Sequence, residues 1–321
     1  MKQKWEFSYR FSLYLILAVL VVGDSIMLGM VIGGGEQPLH PAVLGETVQP
    51  VTIRGEPAVA AKSLVAPVPT KDVALQNVTA KSFLVYDADS KIVLAEKGST
   101  EKLAIASLTK LMTALIVYNT ARLDEVTTIF DRDRVSESPV LGLQSGDQVK
   151  IGDLFNSMLI GSANDAALAL SHWVERTSSS AFPILMNNTA RQLGMFETNF
   201  SNPLGFDSQN NYSSAHDLAL LVDATQRFTA FQLLGRSTSY EFTGLGGKHY
   251  SILATNKLIA ADPELVAIKT GFTLEAQGTM ITAATHNSHT IIIIVLGSSD
   301  RERDTLLLKH QVFEAYVWKP N

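Results

Sequence analysis

The sequence predicts an α/β fold in which both ends of the folded region contribute strands to one antiparallel sheet, helices flank the sheet, and a mainly helical insert separates the two sets of strands. Two β-prone runs come first, helical periodicity dominates residues 122–235, and three β-rich runs precede a last amphipathic segment. Strands this close in sequence pair antiparallel, because a parallel crossover needs a dozen or more residues. One shared sheet is the simplest arrangement that satisfies this order.

The individual elements follow from local patterns. Residues 82–97 contain two β-prone runs around Asp87–Lys91, which predicts a hairpin. Apolar residues recurring at three and four predict a helix from Ser107 to about Ala121. Near the C-terminus, three strands are predicted by ELVAIKTGFT, GTMITAATH and HTIIIIVLGSS, and a closing helix by RERDTLLLKHQVFEAYVW.

The first 33 residues predict a short cytoplasmic N-terminus followed by a transmembrane anchor. Residues 11–32 are apolar and long enough to span roughly 30 Å as a helix, and the preceding basic residues place the N-terminus inside the cell. Asp24 interrupts the apolar stretch, so a cleaved signal peptide with a core at Phe11–Val22 is the alternative. Both interpretations export the remainder, either to the outer face of the cell membrane or, after cleavage, as a secreted protein.

Residues 34–75 change character and predict a semi-extended linker. They hold six of the eleven prolines and show no helical or strand period, and proline cannot donate a hydrogen bond to a ladder or to a helix interior. The folded domain is therefore expected at residues 76–321.

Composition excludes several classes of function. The net charge of −5 comes without a basic cluster, which argues against a nucleic-acid partner. The absence of cysteine excludes disulfides, thiolate nucleophiles and Cys-ligated metals. The histidines show no metal-binding spacing, and no dinucleotide motif opens a helix. No metal and no cofactor are expected.

Ser107 and Lys110 form the first candidate motif. A serine at a helix start can attack a carbonyl while its own backbone N–H helps to bind the oxyanion. Lys110 lies one turn further on and can accept the serine proton only if burial or a nearby cation such as Lys269 lowers its pKa. The alternatives are a helix N-cap for Ser107 and an exposed helix charge for Lys110.

Two further motifs follow along the chain. Ser162 and Asn164 come after an apolar helix that ends at Gly161, where a hydroxyl can relay a proton and an amide can bind both a lysine and a substrate carbonyl. Helix capping is the alternative.

The third motif, Lys269-Thr270-Gly271, ends a β run, where a glycine lets a substrate backbone approach. The next amide, that of Phe272, is the natural second oxyanion donor, although an ordinary strand end explains this motif equally well.

Together the three motifs are far more specific than any one alone, because they share one chain order and each lies on the element type that the chemistry needs. This set is typical of class A β-lactamases and penicillin-binding proteins. The sequence resembles most the D-alanyl-D-alanine carboxypeptidases, the low-molecular-mass penicillin-binding proteins of peptidase family S11, over about residues 78–317. The matching segments are IASLTKLMTAL, MLIGSANDAALAL, MNNTARQLGMFETNFSNPLGFD, ATNKLI and AIKTGFTLEAQGTMITAA.

The resemblance implies a β-lactamase/transpeptidase-like fold and a role for each motif. Ser107 would be the acylated nucleophile and Lys110 its base. Ser162 and Asn164 would complete the proton relay and the substrate contacts. Lys269, Thr270, Gly271 and Phe272 would form the substrate-binding strand. An arginine after the last strand would bind the substrate carboxylate, and Arg301 is preferred to Arg303 because it follows the Ser-Asp turn.

The function implied is that of a serine-type carboxypeptidase that trims the terminal D-Ala of peptidoglycan stem peptides and is acylated by β-lactams. Three alternatives remain open: a β-lactamase of the same fold, a D,D-endopeptidase, and a catalytically silent peptidoglycan-binding protein. A β-lactamase needs a deacylating carboxylate between the second and third motifs, and Glu197 in FETNF lies inside the carboxypeptidase-like segment.

Overall fold

A computed structural model of the chain describes residues 65–73, 75–226 and 235–319. The predicted anchor and most of the predicted linker lie outside these ranges.

The strands, labelled in chain order, are β1 Pro67–Pro69, β2 Ser82–Asp87, β3 Val93–Lys97, β4 Leu103–Ala104, β5 Val126–Thr128, β6 Gln148–Lys150, β7 Tyr212–Ser213, β8 Ser239–Thr243, β9 His249–Leu253, β10 Leu265–Thr273, β11 Gln277–His286, β12 His289–Ser298 and β13 Tyr316–Trp318. The α-helices are α1 Lys110–Thr120, α2 Ile151–Ile160, α3 Asn164–Ser178, α4 Phe182–Gln192, α5 Ala215–Gln226 and α6 Arg301–Ala315, and short 3₁₀ turns cover Ala106–Thr109, Asp131–Asp133 and Leu258–Ala260.

A five-stranded antiparallel sheet joins the two ends of the folded region. Its strand order is β10-β11-β12-β2-β3, so the N-terminal hairpin pairs with the C-terminal meander. The junction is the β12–β2 ladder, in which Ile294 lies opposite Leu84 and Ile292 opposite Tyr86. This topology confirms the predicted fold class.

Helices cover both faces of the sheet. Helix α6 packs on β11 and β12, and helix α5 packs on β2 and β12. The core on the α6 side is built from alternating strand residues, as expected for a period of two, and it contains Val85, Met280, Ile293, Leu308 and Val312. β10 is left at the edge of the sheet, next to the 3₁₀ turn Ala106–Thr109.

Helix α1 lies at the centre of the helical insert and contacts α2, α3, α4 and α5. Every residue from Lys110 to Val117 is buried, and a helix that is enclosed on all sides is hydrophobic around most of its circumference. Lys110 is therefore not a surface lysine. Its Nζ lies inside the protein, at the end of α1 that faces β10.

Three local predictions differ from the structure. Ser107 lies in the 3₁₀ turn, and the α-helix begins at Lys110. The last helix ends at Ala315 because Thr70, from the predicted linker, donates hydrogen bonds to the Ala315 carbonyl from its backbone N–H and its hydroxyl. Pro67–Pro69, which lies in the predicted linker, forms a strand that pairs with Tyr316–Trp318 in a two-stranded ladder. Prolines are tolerated there because the strand is an edge.

The insert also contains short β ladders that helical periodicity did not predict. β4 pairs with β7, β5 with β6, and β8 with β9. The strands β4 to β7 have two or three residues each, too few for a strong period in the sequence. The strands β8 and β9 have five residues each, and the sequence analysis assigned no element to them. Within the described residues, no helix is both long and apolar enough to cross a membrane.

Candidate active site

Ser107 lies in a tightly enclosed turn. The preceding residue, Ala106, has a φ of +47°, a left-handed conformation that costs energy in a residue with a Cβ atom. The turn is held between two glycines: a Cβ on Gly205 would come within 1.9 Å of the Ala106 carbonyl oxygen, and a Cβ on Gly271 within 2.8 Å of the Ser107 backbone nitrogen. These glycines allow the loop and the strand β10 to approach the serine directly.

Lys110 contacts the serine and is shielded from water. Its Nζ lies 2.9 Å from Ser107 Oγ and 2.6 Å from the Leu204 carbonyl oxygen. Burial lowers the pKa of Lys110 well below its usual value, and the positive charge of Lys269 lowers it further. The neutral amine favoured by these two effects can accept the hydroxyl proton of Ser107.

Ser162 and Lys269 form a second pair, from different parts of the fold. Ser162, between α2 and α3, has a φ of +61°. Lys269 Nζ donates to Ser162 Oγ and to the Thr270 carbonyl oxygen, both at 2.9 Å. Burial lowers the pKa of Lys269 to about 7, with a smaller contribution from Arg301. At neutral pH this lysine therefore exists in both protonation states.

The hydrogen bonds of Asn164 differ from the prediction that its amide would bind a lysine. Its Nδ2 donates to the Glu137 carbonyl oxygen at 2.7 Å, and its backbone N–H donates to the Pro139 carbonyl oxygen at 2.8 Å. Among the described residues it makes no hydrogen bond to either lysine. The amide nitrogen is instead taken by the loop that passes the start of α3, and the side chain still lines the cleft.

The predicted substrate-binding residues meet in one cleft of about 370 Å³. Arg301, the first residue of α6, lines the cleft and donates from Nη1 to the Gly271 carbonyl oxygen at 2.6 Å. Arg303 is exposed, and its backbone N–H donates to the side chain of Asp300, the N-cap of α6. Besides Arg301, the cleft is lined by Ser107, Ser138, Pro139, Ser162, Asn164, Gly205, Phe206, Thr255, Thr270, Gly271, Phe272 and Thr273.

Several of these lining residues were missed by the sequence analysis. Thr255 contacts Thr270 through their hydroxyls, 2.6 Å apart. The loop that supplies the Leu204 carbonyl is shaped by Asn202, whose Oδ1 accepts three backbone N–H groups, from residues 204, 205 and 206. An Asn-Pro pair followed by glycine is a turn signal, and it was available in NPLGF. Thr255 had no such turn signal, but it lies in ATNKLI, one of the segments that carry the family resemblance.

The arrangement is suited to acyl transfer. A hydroxyl adjoins a buried amine of lowered pKa, a backbone N–H of the same serine lies in the turn, and the cationic side chain of Arg301 lines the cleft at the side of β10. Such a site can activate a nucleophile and stabilise an oxyanion. Within the described residues, no group of side chains has the composition of a metal site.

Solved structures with this fold define its class. A mutant of a DD-transpeptidase from Streptomyces superimposes with a TM-score of 0.68 at 25% identity, covering 74% of this chain and 99% of that one. Penicillin-binding protein D2 from Listeria monocytogenes, in its ampicillin-bound form, superimposes with a TM-score of 0.64 at 29% identity, with coverages of 74% and 99%. The fold is that of the penicillin-binding proteins and DD-transpeptidases.

The family follows from the sequence comparison. Residues 69–300 match the D-alanyl-D-alanine carboxypeptidase family, peptidase S11, and the chain belongs to that family. It is 30% identical to the carboxypeptidase DacF of Bacillus subtilis over 72% of this chain and 60% of that protein. It is 31% identical to DacC of Escherichia coli over 71% and 59%. The matched region thus spans about 60% of the length of these relatives.

Proposed function

We propose that this protein is a serine-type D-Ala-D-Ala carboxypeptidase that removes the terminal D-Ala of peptidoglycan stem peptides. The observation that carries the proposal is the 2.9 Å contact between Ser107 Oγ and the buried Nζ of Lys110. A neutral lysine at this distance can take the hydroxyl proton as the oxygen attacks. Family membership supplies the substrate class.

The reaction proceeds through an acyl-enzyme. Ser107 Oγ bonds to the carbonyl carbon of the D-Ala–D-Ala peptide bond while its proton passes to Lys110. The C–N bond then breaks, and the proton held by Lys110 passes to the departing nitrogen, with the hydrogen-bonded Ser162 and Lys269 side chains as the relay. Water then attacks the ester carbonyl and gives one proton to the neutral Lys110, which returns it to Ser107 Oγ as the ester bond breaks, so that the acid product leaves and the serine hydroxyl is restored. The backbone N–H groups of Ser107 and Phe272 stabilise the oxyanion.

The cleft fits a substrate with a free carboxylate. Arg301 lines the cleft beside β10, and its guanidinium remains charged where a buried lysine such as Lys269 gives up its proton. A carboxylate placed near Arg301 explains why a terminal D-Ala would be preferred to an internal residue. This favours carboxypeptidase over endopeptidase activity.

The direct test uses a diacetyl-Lys-D-Ala-D-Ala peptide and a β-lactam. We expect the purified protein to release free D-alanine and to form one covalent adduct at Ser107, visible by intact-mass and peptide mass spectrometry. Ser107→Ala should lose both. A wild-type protein that releases no D-alanine and forms no adduct would instead fit the silent peptidoglycan-binding alternative.

The β-lactamase alternative requires a carboxylate that activates the deacylating water. Glu197 does not occupy such a position, because its side chain pairs with Lys102 at 3.1 Å and it is not among the residues that line the cleft. We therefore expect slow nitrocefin turnover, with a long-lived adduct. Rapid multiple turnover would favour the β-lactamase.

We further propose that residues 11–32 anchor the protein, with its catalytic domain outside the cell membrane. The support is the length and apolarity of this stretch and the basic residues before it. Retention in the membrane pellet after carbonate extraction is expected. Release of a mature protein whose N-terminus lies beyond residue 24 would show that the segment is a cleaved signal peptide.

A further inference from the structure

The loop of residues 137–143 forms one wall of the cleft, and a single buried carboxylate binds three of its consecutive backbone amides. Asp165 Oδ1 accepts from Leu141 N–H at 2.9 Å, and Oδ2 accepts from Gly142 and Leu143 N–H at 2.9 and 3.1 Å. The carboxylate is only 2% exposed. An ionised carboxylate is an acceptor with several lone pairs, so it can bind all three amides at once.

The residue before Asp165 fastens the other half of the same loop. Asn164 donates from Nδ2 to the Glu137 carbonyl oxygen and from its backbone N–H to the Pro139 carbonyl oxygen. Between these two attachment points lies Ser138, which lines the cleft together with Pro139. Adjacent residues at the start of α3 therefore determine where this wall stands.

The location of Asp165 suits this task. It lies in the first turn of α3, where the helix dipole stabilises a negative charge, and Oδ1 also accepts its neighbour's backbone N–H, from Ala166, at 2.9 Å. Replacement by asparagine puts an NH₂ donor where one carboxylate oxygen accepts backbone N–H groups. Donors would then face donors, and the loop would have to move away.

We propose that Asp165 is a positioning residue for the cleft: it holds the wall that carries Ser138 and Pro139, the wall to which the Asn164 amide is hydrogen-bonded. This inference rests on the proposed function, since it assigns the wall to substrate binding. Ser107 and Lys110 lie on other elements and keep their contact when the wall moves. Loss of Asp165 should therefore weaken substrate binding more than it slows the chemical steps.

The test compares Asp165→Asn with the matched control Asp217→Asn. Asp217 is also 2% exposed and lies in the first turn of a helix, but its Oδ2 binds Glu197 N–H and the Thr198 hydroxyl, neither of which lines the cleft. We expect Asp165→Asn to raise KM for the D-Ala-D-Ala peptide at least tenfold with kcat within threefold of wild type. Asp217→Asn should change both by less than twofold.

Hydrogen–deuterium exchange gives a readout that does not depend on activity. Amides 141–143 should exchange at least tenfold faster in Asp165→Asn than in wild type or Asp217→Asn, at a temperature where all three proteins are folded. A wild-type KM in Asp165→Asn, or unchanged exchange at these amides, would overturn the inference. A wild type without D-alanine release would refute the proposed function, and faster exchange would then still support the structural part of the inference.

Discussion

At the scale of single residues, the site depends on two lysines that are buried away from water. Lys110 and Lys269 are 0% and 2% exposed, and neither has a carboxylate partner in the described part of the chain. Transferring an ammonium group into such surroundings is costly, so the folded state favours the neutral amine. The same burial that prepares Lys110 to accept a proton therefore reduces the stability of the fold.

This cost predicts a pH dependence of stability. The unfolded chain holds the Lys269 proton up to its usual pKa of 10.5, whereas the folded state releases it near pH 7. Between these values the unfolded state binds more protons, so the free energy of unfolding should fall as the pH is lowered from about 10 to about 7, by at most about 1.4 kcal/mol per pH unit for this group.

Lys269→Met should make this slope shallower, since it removes one of the two titrating lysines, and the slope that remains is the contribution of Lys110, whose pKa is also lowered by burial. Urea unfolding at pH 7 and pH 9.5, with wild type and variant side by side, would measure the difference. Lys91→Met is a suitable control, because Lys91 is exposed and pairs with Asp223. Equal slopes for wild type and Lys269→Met would mean that Lys269 keeps its proton when the protein folds.

At the scale of elements, the decisive contact is between the edge strand β10 and the 3₁₀ turn that carries Ser107. Close approach requires a residue without a side chain at position 271. A Cβ there would lie 2.6 Å from Thr279 Oγ1 and 2.8 Å from the Ser107 backbone nitrogen. Both distances are shorter than normal contacts, so the strand and the turn would have to separate.

Gly271→Ala should therefore impair acylation far more than folding. A displacement of the nucleophile by about 1 Å costs roughly a hundredfold in rate, and we expect a loss of this order in the second-order rate constant with a fluorescent penicillin. Gly246→Ala is the control, because a Cβ at Gly246 meets no atom within 4 Å. Acylation of Gly271→Ala at the wild-type rate would show that the strand is not in contact with the turn.

At the scale of the whole molecule, contacts between residues distant in sequence connect the C-terminal strand to the central sheet. Trp318, near the C-terminus, donates from Nε1 to Asp87 Oδ2 at 2.8 Å and stacks on His289 with ring centroids 5.1 Å apart. Asp87 ends β2 and is buried. The C-terminal strand thus fastens the N-terminal hairpin to the meander.

Trp318→Ala should lower the free energy of unfolding by about 1–3 kcal/mol, because a buried carboxylate oxygen loses its donor and the ring contacts disappear. Trp318→Phe should recover the packing part of the loss. Urea unfolding would measure both. Penicillin acylation at 25 °C should remain at the wild-type rate in each variant, and a drop there would mean that the C-terminal strand also affects the site.

The sequence analysis predicted most accurately those features that depend on local pattern. The hairpin at residues 82–97 and the three C-terminal strands are present, because each run is long enough for its periodicity to be read. The predicted end of the last helix was wrong. It is set by Thr70, which caps the Ala315 carbonyl, and a cap from 245 residues away leaves no mark on the local pattern.

The candidate site was likewise predicted only in part. Residue types and motif order indicated Ser107, Lys110, Ser162 and Lys269, since acyl transfer needs a nucleophile and amines, and these residues converge in the structure. The partners that position them were not foreseen. Asp165 and Asn202 act through backbone amides of loops, and which amides a side chain reaches depends on how the loops fold.

By itself, the sequence determined the chemistry and the fold class: the side chains that can react, their order along the chain, and the strands and helices that carry them. Only the tertiary structure decided how these groups behave. The pKa of a lysine depends on the water and charges around it, and those are set by the packing of α1 against four other helices and by the position of β10 beside the serine turn. Burial and proximity arise between distant segments, and for that physical reason no local stretch of sequence encodes them.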